Sequence, residues 1–132
     1  MKFSTRSSYG LRALVRLAQN YGKKPYSLAK IASEESISQA YLERLFARLK
    51  KAGILLSSKG MAGGYQLTRK PSQISILSVI EALEGSISVF KCLGGSGKLV
   101  CSKKACPSGL VYQRVQKAIV NSLKSLTLKD LI

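Results

Sequence analysis

Histidine is absent from this chain of 132 residues, and only six residues are acidic. The commonest general base in proteins is therefore missing, and the carboxylates form no pair in a recognisable cleft motif. No Gly-x-x-x-x-Gly-Lys-Ser/Thr phosphate loop occurs either. These absences exclude the usual routes to catalysis, and the chain is not expected to be an enzyme. Long apolar runs are lacking too. No stretch of about eighteen apolar residues exists, so no membrane-spanning helix is expected. The N-terminal Met1 to Arg6 carries charge, but Arg12 and Arg16 interrupt the only apolar run behind it. No signal peptide is expected, and the expected compartment is the reducing cytoplasm.

What the chain has in excess is positive charge. It holds 22 Lys and Arg, for a formal net charge of +16. Such an excess repels itself unless a polyanion is the usual partner. Residues 1–70 carry 14 basic and three acidic residues, and residues 71–132 carry eight and three. The anion-binding part is thus expected in the N-terminal half. An anionic membrane surface fits less well, because no basic helix shows an aromatic face. The length suits one domain, or one domain with a small dimerisation element.

Periodicity predicts a helix capped by Ser7 or Ser8 and running to about Asn20. Tyr9, Ala13, Leu14, Leu17, Ala18 and Tyr21 form its inner stripe, and Arg12 and Arg16 face solvent. Ser27 is expected to cap a short helix from Leu28 to about Glu34. After the connector Glu35-Ser36-Ile37, Ser38 caps a helix from Gln39 to Ala52. Leu42, Leu45, Phe46 and Leu49 form its buried stripe; Gln39, Tyr41, Arg44, Arg48 and Lys51 lie outside. Two helices across a tight turn, the second basic on its outer face, match a helix-turn-helix, although a two-helix hairpin in a bundle shares this signature.

The next segment favours the first reading. Residues 54–58 and 65–68 read as strands joined by the glycine-rich turn 59–64. A hairpin directly after such a helix is a wing. Its glycines, Gly60 among them, permit close approach to phosphates, and Lys59 is placed to enter a minor groove. Ser75 is expected to cap a helix from Ile76 to Leu83, closed by Glu84-Gly85. Pro107 fits the first turn of a long helix to about Ser125. Its stripe of Leu110, Val111, Val115, Ala118, Ile119, Ser122 and Leu126 predicts pairing in a two-fold homodimer. Thr127 to Asp130 reads as a capping box. The expected fold is mainly α with a small β-hairpin, in three parts: a winged helix-turn-helix DNA-binding domain (1–85), a cysteine-containing sensor loop (86–106) and a dimerisation helix with a C-terminal turn (107–132).

The three cysteines, Cys92, Cys101 and Cys106, all fall in that loop with spacing C-x8-C-x4-C. An odd number in a cytosolic chain points to metal or redox chemistry instead of a disulfide framework. Thiolates suit iron and zinc, and Lys91, Lys98, Lys103 and Lys104 favour their ionised form.

Taken together, these residues resemble the Rrf-two family of winged-helix transcriptional regulators. The matching stretches include Tyr9-Gly10-Leu11-Arg12-Ala13, Ser38-Gln39-Ala40-Tyr41-Leu42-Glu43-Arg44-Leu45, Gly63-Gly64-Tyr65, Val79-Ile80-Glu81-Ala82-Leu83-Glu84-Gly85 and Leu126-Thr127-Leu128-Lys129-Asp130. The resemblance covers essentially the whole chain. It implies a regulator, repressor in type, bound as a homodimer to double-stranded DNA at a palindromic operator. The helix from Ser38 would enter the major groove, with Ser38 and Tyr41 at phosphates or base edges and Glu43 accepting from a cytosine amino group. Lys59 would reach the minor groove at a position where the family often has Arg. Thr5, Arg6 and Arg12 would contact phosphates. Many members hold an iron–sulfur cluster, usually [2Fe–2S], on three cysteines of this loop. Where some members complete the set with a histidine, this chain has Gly109, and where others use an aspartate near the N-terminus it has Ser8. Glu34, Glu35, Glu84, solvent or a small thiol are the remaining candidates. A cluster-free, thiol- or partner-responsive repressor is the alternative, with a non-specific architectural DNA-binding protein a further one.

Overall fold

The computed structural model describes residues 2–90, 93 and 107–132. Among the described residues, five helices and one hairpin occur in the order α1 (Thr5–Gln19), α2 (Leu28–Glu35), α3 (Gln39–Lys51), β1 (Leu55–Ser58), β2 (Gly64–Leu67), α4 (Ile76–Glu84) and α5 (Pro107–Ser125). Short 3-10 turns at Pro71–Gln73 and Leu128–Leu131 follow the hairpin and α5. The mainly α architecture with a wing thus matches the sequence reading. No helix among the described residues is long and apolar enough to cross a membrane.

Serine hydroxyls begin four of the helices. Ser27, Ser38 and Ser75 cap α2, α3 and α4 as expected, each accepting from the backbone N–H three residues on. For α1 the expectation was wrong. Ser4 is the cap and the helix starts at Thr5, while Ser7 lies inside it and is buried. Between α2 and α3 the chain reverses through Ser36 in the left-handed region (φ 54°). There the Ile37 N–H reaches back to the Ala32 carbonyl at 2.9 Å, closing the end of α2, and the Ile37 side chain drops into the core. This local device sets the crossing of the two helices.

The core fills the space enclosed by α1, α2, α3, α4 and the hairpin. Leu14, Ile31, Leu42, Phe46, Leu49 and Leu83 are fully buried within it. Phe46 meets the Tyr65 ring edge-to-face at 4.8 Å, which joins the inner stripe of α3 to the hairpin. Truncating a buried Phe of this kind costs about 3–5 kcal/mol. Gly10 allows α1 to lie close on α4, because a Cβ there would collide with the Leu83 side chain.

The hairpin pairs Leu55 with Leu67 and Ser58 with Gly64. Its return strand also bridges Tyr26, just before α2, through Tyr65. The C-terminus folds back as well. Leu128 is fully buried, and its N–H donates to the Ile74 carbonyl at 3.0 Å. The capping box expected at Thr127 is present, with Asp130 accepting from the Thr127 N–H at 2.8 Å.

The long helix α5 is divided along its length. Ile119 and Leu123 pack against the core, and Gln116 is buried beneath. Leu110, Val111, Val115 and Leu126 stay exposed, as do Ala118 and Ser122. The stripe read from the sequence as one face is therefore two, with Ile119 on the inner one.

Candidate nucleic-acid interface

The outer face of α3 is built by subtraction. Once Leu42, Leu45, Phe46 and Leu49 are buried, helical geometry leaves Gln39, Glu43 and Arg44 in solvent beside the capping Ser38. Among the described residues neither Glu43 nor Arg44 is in an ion pair. Their donors and acceptors are thus available to base edges. Arg48 is exposed as well and donates to the Leu83 carbonyl at 3.3 Å. It sits on the side of α3 that meets α4.

Tyr41 is half-buried and belongs to two helices at once. Its ring meets Tyr9 of α1 edge-to-face at 5.9 Å, and its hydroxyl lies 3.3 Å from the Thr5 hydroxyl. The start of α1 and the start of α3 therefore form one surface. Tyr9 was expected in the inner stripe of α1; its place beside Tyr41 has no signature in local periodicity.

The arginines of α1 hold this surface together instead of projecting from it. Arg12 donates to the Glu35 carboxylate at 3.0 Å and to the Glu35 carbonyl at 2.7 Å, and its guanidinium lies 5.7 Å from the Tyr9 ring centre. Arg16 donates to the other oxygen of the same carboxylate and approaches Glu34 at 3.9 Å. The Arg16 hydrogen bond holds the Glu35 carboxyl below its usual range against the opposing effect of burial, with Arg12 adding to it. Tyr26 donates to Glu34 at 2.7 Å, a bond that raises the phenol's pKa. The solvent-facing pair expected on α1 is also a clamp between α1 and α2.

Arg6 is held in the same way. It donates to Glu84 at 3.1 Å. Glu84 also accepts from the Ser4 N–H at 2.8 Å, the Ser4 hydroxyl at 2.6 Å and the Ser7 hydroxyl at 2.7 Å. Burial pushes this carboxyl up, but the Ser4 and Ser7 hydrogen bonds and the Arg6 charge outweigh it and hold the group at about 2.

The wing carries Lys59 and Gly60 at its exposed tip, with Gly60 in the left-handed region (φ 99°). Met61 beside them is fully exposed. Gly64 sets the wing's position, because a Cβ there would strike the Tyr26 carbonyl.

Cys92, Cys101 and Cys106, with the lysines between them, lie outside the described residues. The stretch leading to them does not. Gln116 of α5 donates to the Ile87 carbonyl at 2.8 Å and accepts from the Val89 N–H at 3.0 Å. Phe90 stacks on Tyr112 of α5 at 4.1 Å. The three carboxylates considered as further ligands, Glu34, Glu35 and Glu84, are all engaged elsewhere, with tyrosine, serine or arginine partners.

A helix-turn-helix followed directly by a hairpin whose tip is basic defines a winged-helix DNA-binding protein. The chain belongs to the Rrf2 family, described as iron-dependent transcriptional regulators, whose model matches residues 3–132. Among curated relatives, the regulator CymR of Bacillus subtilis is 36% identical over 131 residues, spanning 99% of this chain and 89% of its own. The regulator IscR of Sodalis glossinidius is 32% identical over 133 residues, with 100% of this chain and 79% of its own. The solved structure of CymR, the global cysteine regulator of B. subtilis, superposes with a TM-score of 0.84 at 34% identity, covering 99% of this chain and 95% of that one. An IscR structure from T. potens gives 0.79 at 37% identity, covering 99% and 85%. The protein is thus a DNA-binding transcriptional regulator and not an enzyme.

Proposed function

We propose that the protein acts as a homodimer on a palindromic operator and represses transcription in response to an iron–sulfur cluster, of the [2Fe–2S] type, held by Cys92, Cys101 and Cys106. The observation carrying the DNA part is the exposed face of α3. Ser38, Gln39, Glu43 and Arg44 are exposed there, with Tyr41 half-buried beside them. In this reading that face reads base edges in the major groove, Glu43 accepts from a cytosine amino group, Thr5 contacts a phosphate, and Lys59 with Gly60 lies in the neighbouring minor groove. Arg6, Arg12 and Arg48 serve it indirectly by fixing α1 and α3. The dimer is supported by Leu110, Val111 and Val115, which are 62%, 57% and 45% exposed on one helix. Burying such a face against a second copy removes apolar surface from water without further rearrangement.

Three thiols within a 15-residue stretch, with no histidine in the chain, are a soft donor set suited to iron–sulfur or zinc ligation. When bound, a cluster supplies redox and iron responsiveness. The protein's own part is to hold the loop's roots. The Phe90–Tyr112 stack and the Gln116 hydrogen bonds tie the segment before Cys92 to the helix that begins one residue after Cys106. A cluster-free reading, in which the thiols or a partner protein carry the signal, is favoured by two observations. The carboxylates available as a fourth ligand are committed elsewhere, and a CymR structure fits the chain along nearly its whole length. Anaerobic purification with a visible spectrum and iron and sulfide analysis decides between them. A coloured, iron-containing protein supports the cluster. A colourless, iron-free protein after reconstitution overturns it.

A further inference from the structure

The family resemblance implies phosphate contacts by Arg6 and Arg12, and both of these cations already have partners within the chain. Arg16 is paired to a carboxylate as well. By contrast, Lys23, Lys24 and Lys30 line a groove of about 450 Å³ between the α1–α2 turn and the wing. No acidic residue lines that groove, and among the described residues none of the three lysines is in an ion pair. Its opposite wall is the wing itself, through Met61, Ala62 and Gly63.

The groove is held in shape from both sides. Tyr26 and Tyr65 exchange backbone hydrogen bonds of 3.0 and 2.9 Å, and Gly64 packs directly on the Tyr26 backbone. Gln66 donates to the Lys23 carbonyl at 3.1 Å and Asn20 to the Lys24 carbonyl at 2.9 Å. Lys30 rests over the Tyr26 ring at 4.8 Å. The turn bearing Lys23 and Lys24 is thus tied to the return strand of the wing. A wing seated in a minor groove carries these lysines to the sugar–phosphate backbone beside it.

We propose that Lys23, Lys24 and Lys30 form a second phosphate-binding surface, which grips the DNA backbone flanking the wing independently of sequence. The proposal rests on the DNA-binding reading above. It deepens that reading by moving the electrostatic grip from the arginines of α1 to this groove. Phosphate contacts position a protein on the duplex and carry no base information, and each one removes about 0.9 from the slope of log affinity against log salt.

The test compares the wild type with K23Q/K24Q/K30Q, using K117Q/K124Q/K129Q as a charge-matched control. Binding is measured across a salt series on a random duplex and on duplexes the wild type selects from a random library. All six lysines are exposed, so both variants are expected to keep the wild-type melting temperature. The groove variant is expected to lose roughly 2–3 from the salt slope per bound protomer on both duplexes, with the control unchanged. Hydroxyl-radical protection at the outer flank is expected to vanish while any selected-to-random ratio is kept. An unchanged slope and footprint overturns the proposal. So does a groove that takes small anions only, seen as stabilisation of the wild type but not the variant by inorganic phosphate with equal DNA slopes. A wild type that selects no sequence defeats the operator reading alone, because the slopes on random duplex still decide this one.

Discussion

Glu84, the last residue of α4, accepts the backbone N–H of Ser4 at 2.8 Å across eighty positions of sequence. The same carboxylate takes the hydroxyls of Ser4 and Ser7 and the guanidinium of Arg6, so one side chain fixes where α1 begins. Thr5, which follows Ser4, touches Tyr41 of α3. The end of α4 and the start of α3 are therefore linked by two hydrogen-bonded contacts through Ser4 and Thr5.

Glu84→Gln is expected to lower stability at neutral pH by about 1–3 kcal/mol, through loss of charge-assisted hydrogen bonds. Because the folded carboxyl sits at about 2, below the ordinary 4.5, its contribution is complete above the ordinary value. It then fades as pH falls from there toward 2. Thermal denaturation from neutral to acidic pH should show this loss in the wild type and less of it in the variant. Parallel curves would contradict the role given to Glu84.

Those contacts also explain what the sequence could disclose. Ser27, Ser38 and Ser75 were legible as caps because each has one plausible helix behind it and the bond it makes is local. Ser4, Ser7 and Ser8 compete at the start of α1, and the choice is made by Glu84, which no local pattern reveals. Arg12 and Arg16 share a face, as their spacing requires, yet Glu35 on another helix turns that face into a contact. The 3-10 turn at Pro71–Gln73 and the Gln116 anchor were likewise invisible, since short turns and single buried amides lack periodicity. Along α5 the 3–4 spacing marks the helix, but spacing alone does not divide an apolar stripe between core and exterior.

Tyr41→Phe keeps the ring contact with Tyr9 and removes the hydroxyl near Thr5. Operator affinity is expected to fall about fivefold, the value of one hydrogen bond, with a smaller change on random DNA. Competition binding checks this, and equal losses on both duplexes would remove Tyr41 from base recognition.

Arg12→Gln is expected to lower the melting temperature while leaving the salt slope of DNA binding unchanged, because its charge already faces Glu35. An exposed pair of this kind contributes about 1 kcal/mol or less. A slope reduced by a full phosphate contact, with stability intact, would return Arg12 to the phosphate backbone.

Val115→Glu places a charge in the exposed apolar face of α5. Sedimentation should show a folded monomer with weakened operator binding. A variant that stays dimeric would locate the interface elsewhere.

Whether the α3 face and the wing read sequence is decided by competition between selected and random duplexes at one fixed salt concentration. A preference of about a thousandfold or more for the selected duplex is expected, with its sites arranged as a palindrome. Equal affinity for both duplexes at that salt concentration would show that neither element discriminates sequence.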